Sequence, residues 1–231
     1  MVNLFVRNGR EMSNEKLIPP TPSEEAYRVN EDQGEVFTSN DPFVLFAEWL
    51  GLAREKEVND PNSMALASVD PAGNPDVRIV LLKDVSDEGL TFFTHYTSAK
   101  GKQLNATGKA ALAFHWKSIR RQVRFRGTVS QVPSEASDAY FASRARGAQL
   151  GAAVSRQSDA MSAPEVFSKA LEEADTEIGE ESIPRPNHWG GYLVTPLEIE
   201  FWVNRPYRLH DRLLFTRATT QSPWETSFLY P

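Results

Sequence analysis

The sequence predicts a mainly β fold with flanking helices (α+β), its strands antiparallel and closed into a barrel. Three observations predict it. From Ser63 onward the apolar residues fall in short runs separated by turn chemistry, Asp70-Pro71-Ala72-Gly73-Asn74-Pro75 and Asp87-Glu88-Gly89. Those connections are too short for parallel crossovers, and no βαβ alternation is visible. The chain has 231 residues, 40% of them hydrophobic, which suffices for one barrel-sized core.

The elements follow in order. Residues 1–40 are polar, with Pro19-Pro20-Thr21-Pro22 among scattered charges, and read as a mobile N-terminal arm before a single domain over 41–231. Asp41-Pro42 has the chemistry of an N-cap followed by proline at the first helical position. Phe43, Leu45, Phe46, Trp49, Leu50 and Leu52 then recur at helical spacing to about Glu57. Strands are predicted over Met64–Val69, Val77–Lys83 and Leu90–Thr94. A short helix follows from a candidate cap at Ser98 to Thr107, and two more strands cover Ala110–Trp116 and Arg121–Gln131. In the second of these, alternation sets Gln122, Arg124 and Arg126 against Arg121, Val123 and Phe125.

Pro133-Ser134 opens a helix through Arg144. A Gly- and Ala-rich segment spans Arg146–Ser158, a helix runs from about Ala163 to Ala174, and an acidic connector covers Glu172–Asn187. The closing strands are Trp189–Val194, Ile199–Trp202, Tyr207–Thr216 and Trp224–Leu229. Asn204-Arg205-Pro206 supplies the turn between the middle pair. If Tyr207–Thr216 is a regular strand, Arg208, His210 and Arg212 share one face. Two guanidiniums around an imidazole suit an anionic, planar ligand; the same pattern also fits a solvated strand face.

Composition removes several function classes. There is no cysteine, which excludes disulfides, thiolate nucleophiles and Cys-ligated metals. The four histidines, His95, His115, His188 and His210, lack helical metal-site spacing, so no metal site is predicted. A net charge of −6 argues against a nucleic-acid binder. No apolar run approaches the roughly 18 residues of a membrane span, and the N-terminus lacks a signal-peptide core, so a cytoplasmic protein without membrane attachment is expected.

The charge distribution is more informative than the total. No acid lies between Glu88 and Glu135, yet Lys100, Lys102, Lys109, Lys117, Arg120, Arg121, Arg124 and Arg126 do. Such a segment suits a compact anion such as phosphate; the other outcome is pairing with acids from elsewhere in the fold. No Gly-x-Gly-x-x-Gly, P-loop or Gly-x-Ser-x-Gly motif is present. A basic, aromatic-rich barrel without an obvious nucleophile lends itself to a phosphorylated cofactor that brings its own chemistry.

Five motifs in register carry a family resemblance over about Asp41 to Pro231. They are Arg78-Ile79-Val80-Leu81-Leu82-Lys83, Arg121-Gln122-Val123, Gln157-Ser158, Trp189-Gly190-Gly191, and Glu200-Phe201-Trp202 with Arg208-Leu209-His210-Asp211-Arg212. Together they resemble the pyridoxamine/pyridoxine 5′-phosphate oxidase family. The resemblance implies an FMN-binding antiparallel split β-barrel, a homodimer, and oxidation of pyridoxine or pyridoxamine 5′-phosphate to pyridoxal 5′-phosphate. Hydride would pass to flavin N5, and O2 would be reduced to H2O2. It assigns FMN contacts to Arg78, Ile79, Val80, Leu81, Leu82, Lys83, Phe93, Thr94, Lys100, Gln122, Gln157, Ser158, Trp202 and Arg212. Substrate contacts fall to Lys83, Tyr140, Arg144, Arg208 and His210, the last two also as catalytic residues. Chemically, Lys83, Tyr140 and Arg144 make a sensible phosphate clamp. Plain alternation places Arg78 and Lys83 on opposite strand faces, so serving one site requires a break in the strand.

The chain also departs from the family pattern. Ser98-Ala99-Lys100 lacks a cation common at the middle position, Ala148 stands where a phosphate-binding serine is usual, and Ala153 replaces a tryptophan. Weaker substrate binding follows from these changes more naturally than lost chemistry. The alternatives are a non-catalytic flavin or pyridoxal-phosphate binding protein and a split-barrel flavin reductase with another substrate. The intact Arg-x-His-x-Arg set argues against both.

Overall fold

The computed structural model describes residues 4–7, 10–13, 23–25 and 34–231. The expected mobile arm lies largely outside them. Its described parts include an antiparallel pair, β1 (Leu4–Arg7) with β2 (Arg10–Ser13). At residue 36 the chain is already packed on the core, where Val36 is buried and its carbonyl accepts from Trp49 Nε1 at 3.2 Å.

Helix α1 (Pro42–Lys56) begins as its sequence dictates. The Asp41 carboxylate accepts from the backbone N–H groups of Phe43 and Val44, and Pro42 occupies the first turn. Its buried face, Leu45, Phe46, Trp49 and Ala53, packs on Phe114, Phe125 and Phe201 of the sheet. Each large side chain so buried contributes about 1.5–3 kcal/mol.

The sheet comprises β3 (Ser63–Val69), β4 (Pro75–Leu81), β5 (Asp84–Ser86), β6 (Gly89–His95), β7 (Lys109–Trp116), β8 (Arg121–Gln131), β9 (Trp189–Val203), β10 (Asp211–Thr216) and β11 (Glu225–Phe228). Its order is β11-β10-β9-β8-β7-β3-β4, with β6 on the first half of β9 and β5 beyond it. All pairings are antiparallel. Strand β9 is the organising element. Residues 189–194 pair with β6, residues 198–203 pair with β10, and β8 runs alongside both halves. The sheet thereby curls into a half-barrel, as the antiparallel pattern predicts.

β9 is one strand where two were expected. Pro196 does not break it, because it faces Gly127 at a register shift in β8 and lies between the β6 and β10 pairings, where no ladder N–H is missed. Gly127 permits the close approach: a Cβ there would lie 2.0 Å from the Thr195 carbonyl oxygen.

Helices α2 (Ala99–Thr107), α3 (Ser134–Ala142), α4 (Arg146–Val154) and α5 (Pro164–Ile178) decorate the sheet. Ser98 caps α2 as predicted, accepting from Gly101 N at 3.2 Å. The Gly/Ala-rich segment forms α4, and α5 extends into the expected connector. Arg146 ties the two together by donating to the carbonyls of Gly179 and Glu181 past the end of α5. A second small core beneath these helices joins Phe141, Leu150, Ala152, Ile183 and Trp189. No helix among the described residues is long and apolar enough to cross a membrane.

Candidate active site

A cavity of about 750 Å³ opens between β4, the end of β6 and helices α3–α5. It gathers Arg78, Ile79, Val80, Leu81, Lys83, Phe93, Thr94, Lys100, Tyr140, Arg144 and Gln157 of the predicted set. Arg78 and Lys83 reach it together because β4 ends at Leu81. Leu82 N then donates to Asn62 O at 2.9 Å and Lys83 N to Thr91 O at 2.8 Å, so the two-residue alternation stops before Lys83. Leu82 itself is buried in the main core and does not line the cavity.

The Arg78 guanidinium is held rigidly. It donates to Leu66 O at 3.1 Å, Gln103 Oε1 at 3.0 Å, the Asp76 carboxylate and the Ser68 hydroxyl. Lys100 Nζ donates to Gln157 Oε1 at 2.7 Å, and Thr94 Oγ1 donates to the same oxygen at 3.1 Å. No described residue accepts from the Gln157 amide nitrogen, which leaves it free to donate into the cavity. Burial, then the Arg78 charge, lowers the Lys100 ammonium from its ordinary value, while Asp76 opposes the shift. Ser158, in the left-handed region at φ 79°, turns away; its hydroxyl accepts from Ala99 N at 3.1 Å beside a neighbouring cavity.

One wall is aromatic. Phe93 stacks on Tyr140 at 4.0 Å and on Trp189 at 5.5 Å. Gly191 faces Phe93 across the ladder and makes the approach possible, since a Cβ there would meet Phe93 Cε1 at 2.8 Å. Its N–H donates to Ser137 Oγ, which docks α3 on β9 and carries Tyr140 to the cavity. Lys83 Nζ lies 5.9 Å from the Tyr140 ring, and the Arg144 guanidinium 4.8 Å from the Trp189 ring. Arg144 Nη1 is buried without a hydrogen-bond partner among the described residues. Sequence reading assigned no role to His95, Ser155, Phe167 or Trp189, which also line the cavity. Trp189 was discoverable from the adjacent glycines; the others carry no local signal. Ala148 lines the cavity with only a methyl group to offer, and Ala153 packs in the helical core instead.

Gln122, Trp202, Arg208, His210 and Arg212 do not line this cavity. They form a second cluster on β8, β9, the start of β10 and the turn that precedes it. Gln122 and Arg212 flank Trp202 as its two cross-strand partners, and the His210 ring lies 4.4 Å from that of Trp202. Glu200, buried one row away, accepts from Arg212 Nε at 2.8 Å and pairs with Arg124 at 3.3 Å. Arg126 pairs with Glu198 in the next row. Part of the acid-free basic segment therefore meets acids of β9, while Lys100 faces the cavity.

The shared strand face for Arg208, His210 and Arg212 needs correction. Strand β10 starts only at Asp211, and Pro206–Arg208 form a 3₁₀ turn with Tyr207 and Arg208 at φ 58° and 62°. Such left-handed geometry is costly for bulky residues and is held by its surroundings. His210 reaches Trp202 from this turn rather than by alternation. Its Nδ1 accepts from Arg205 N at 3.2 Å, which places the hydrogen of the neutral ring on Nε2. Burial, then Arg208, lowers the His210 imidazole from its usual value against the pull of Asp211. Arg208 has no hydrogen-bond or ion-pair partner among the described residues, and no metal-ligand cluster occurs among them.

Fold and site define a split-barrel protein with a cationic, aromatic-walled cavity and a separate Trp-His-Arg cluster. Residues 53–177 match the family described as pyridoxamine 5′-phosphate oxidase, and residues 189–231 match the pyridoxine 5′-phosphate oxidase C-terminal dimerisation region. The chain belongs to the pyridoxine/pyridoxamine 5′-phosphate oxidase family. A pyridoxine/pyridoxamine 5′-phosphate oxidase from Maricaulis maris is 49% identical over 95% of this chain and 100% of its own length. One from Caulobacter vibrioides is 51% identical over 93% of this chain and 97% of its own. Among solved structures, PhzG from Burkholderia lata, in complex with tetrahydrophenazine-1-carboxylic acid, superposes with a TM-score of 0.80 at 28% identity, covering 88% of this chain and 99% of its own.

Proposed function

We propose that this protein is an FMN-dependent oxidase that converts pyridoxine or pyridoxamine 5′-phosphate to pyridoxal 5′-phosphate, acting as a homodimer. The observation that carries this reading is the cavity itself. It holds Lys83, Lys100 and Arg144 without a carboxylate among its lining residues, an unpartnered buried Arg144 nitrogen, and a stacked aromatic wall. That donor set fits phosphorylated, planar ligands. Relatives about half identical carry the oxidase name along their whole length.

The match to a C-terminal dimerisation region supports the homodimer, and two features of the chain agree with it. β4 is an edge strand whose outward residues Val77 and Ile79 are 65% and 64% exposed, an apolar edge that needs covering. The site residues also fall into two sets, as they would if a second copy supplied Gln122, Trp202, Arg208, His210 and Arg212 to the cavity.

FMN would be held by Arg78, Thr94, Lys100 and Gln157 from one copy and by Gln122, Trp202 and Arg212 from the other. When bound, it would supply the two-electron acceptor, taking hydride at N5 and yielding H2O2 from O2. Lys83, Tyr140 and Arg144 would clamp the substrate phosphate. Arg208 would lend charge near the pyridine ring, and His210 would donate from Nε2. Most of the rate would come from positioning rather than from a strong protein base.

A second reading is a relative acting on a different ring system. The Burkholderia lata neighbour and the hydroxyl missing at Ala148 favour it; the closer identity to the named oxidases favours the first. The test is purification with FMN followed by peroxide release on adding each phosphorylated vitamer. Peroxide with either supports the oxidase; flavin binding without peroxide contradicts it.

A further inference from the structure

His95 lines the cavity, yet the mechanism above does not use it. It ends β6, is 4% exposed, and its Nδ1 has no partner among the described residues. Buried polar atoms without partners are rare enough to need a reason. The ring stacks on His188 at 5.1 Å, and His188 Nε2 lies 3.3 Å from Ala152 O. The groups acting electrostatically on His95 are His188 before β9, Lys100 of α2 and Arg144 after α3; no carboxylate is among them. Arg144 Nη1 is the second unpartnered buried atom on this cavity. Two such groups, among cations, on one cavity point to a shared missing acceptor.

We propose that His95 is a phosphate ligand of this cavity and that it takes up a proton as a phosphomonoester binds. The proposal deepens the reading of the cavity as a phosphate site and rests on it. Without an anion, burial, then His188, Lys100 and Arg144, push the His95 imidazole down to about 4, so it is neutral at pH 7. A neighbouring anion raises such a group by about 1–3 pH units, which brings His95 into the range where it charges at mildly acidic pH. Neutral His95 can then become a second charge-assisted donor beside Arg144.

The experiment uses histidine-¹⁵N NMR on the wild-type protein with calorimetry in buffers of different ionisation enthalpy. FMN is titrated into apoprotein, and pyridoxal 5′-phosphate into the FMN-loaded protein. Comparing wild type with His95→Asn cancels the titration of the ligand's own phosphate. In at least one arm, wild type should take up more protons than the variant, with the His95 signals moving from neutral to protonated. The variant should bind that ligand about tenfold more weakly at mildly acidic pH, and less so at alkaline pH. The arm that responds tells cofactor phosphate from substrate phosphate. If both ligands bind with equal proton uptake in the two proteins and the His95 signals stay neutral, the proposal is overturned. Should neither ligand bind wild type, the phosphate reading of the cavity fails instead. The wild-type NMR decides even if the variant does not fold.

Discussion

Arg212 Nε donates to the Glu200 carboxylate at 2.8 Å, and that carboxylate also pairs with Arg124 at 3.3 Å across the β8–β9 ladder. A buried acid between two cations fixes the guanidinium that lies beside Trp202. Glu200→Ala should destabilise the protein by about 1–3 kcal/mol, read from urea denaturation. Glu200→Gln keeps the shape and one hydrogen bond; it should fold but hold FMN several-fold more weakly. Unchanged FMN affinity in Glu200→Gln would separate Arg212 from the cofactor.

Arg144 offers an unpartnered nitrogen to the cavity, so its loss should be felt on binding the substrate phosphate. A charge-assisted hydrogen bond contributes about 1.5–3 kcal/mol. Arg144→Ala should therefore raise KM by about 10- to 100-fold, with a smaller change in kcat and flavin content preserved. A collapse of kcat at constant KM would argue for a different role.

Val77 sits on the exposed apolar edge of β4 without lining the cavity. A carboxylate there opposes pairing between copies without disturbing the core. Val77→Asp should sediment as a folded monomer and lose FMN, because Trp202 and Arg212 would no longer be delivered. A dimeric, yellow Val77→Asp protein would remove β4 from the interface.

How much of this was legible in sequence depends on how local its causes are. The Asp41 and Ser98 caps, the α1 stripe and the Arg121–Gln131 alternation are short-range chemistry, and each appears where it was read. The expected strand Tyr207–Thr216 holds from Asp211 onward and fails over Tyr207–His210, because Tyr207 and Arg208 adopt left-handed geometry that no glycine announces. The continuity of β9 through Pro196 depends on a bulge in another strand. Eleven of the predicted contacts share one cavity, but their division from the Trp202 cluster is a property of topology that no motif encodes.

Stability should carry the mark of His95. Its folded value, about 4, lies below the ordinary 6.5. The unfolded chain therefore binds the proton more readily between these values. The contribution is complete above about 6.5 and is lost as pH falls towards 4, on the order of 3 kcal/mol for a shift of this size. Ligand-free protein should thus lose urea resistance between pH 7 and 4, and His95→Asn should flatten that slope. Equal slopes in both proteins would contradict the buried, neutral state.

Flavin-dependent oxidation of a phosphorylated B6 vitamer by this chain is read by mixing without oxygen. FMN-loaded protein with pyridoxine 5′-phosphate should lose its visible flavin band as pyridoxal 5′-phosphate forms. Arg208→Ala should keep FMN but bleach far more slowly. A wild-type protein that binds both ligands and keeps its flavin band unchanged would contradict the account.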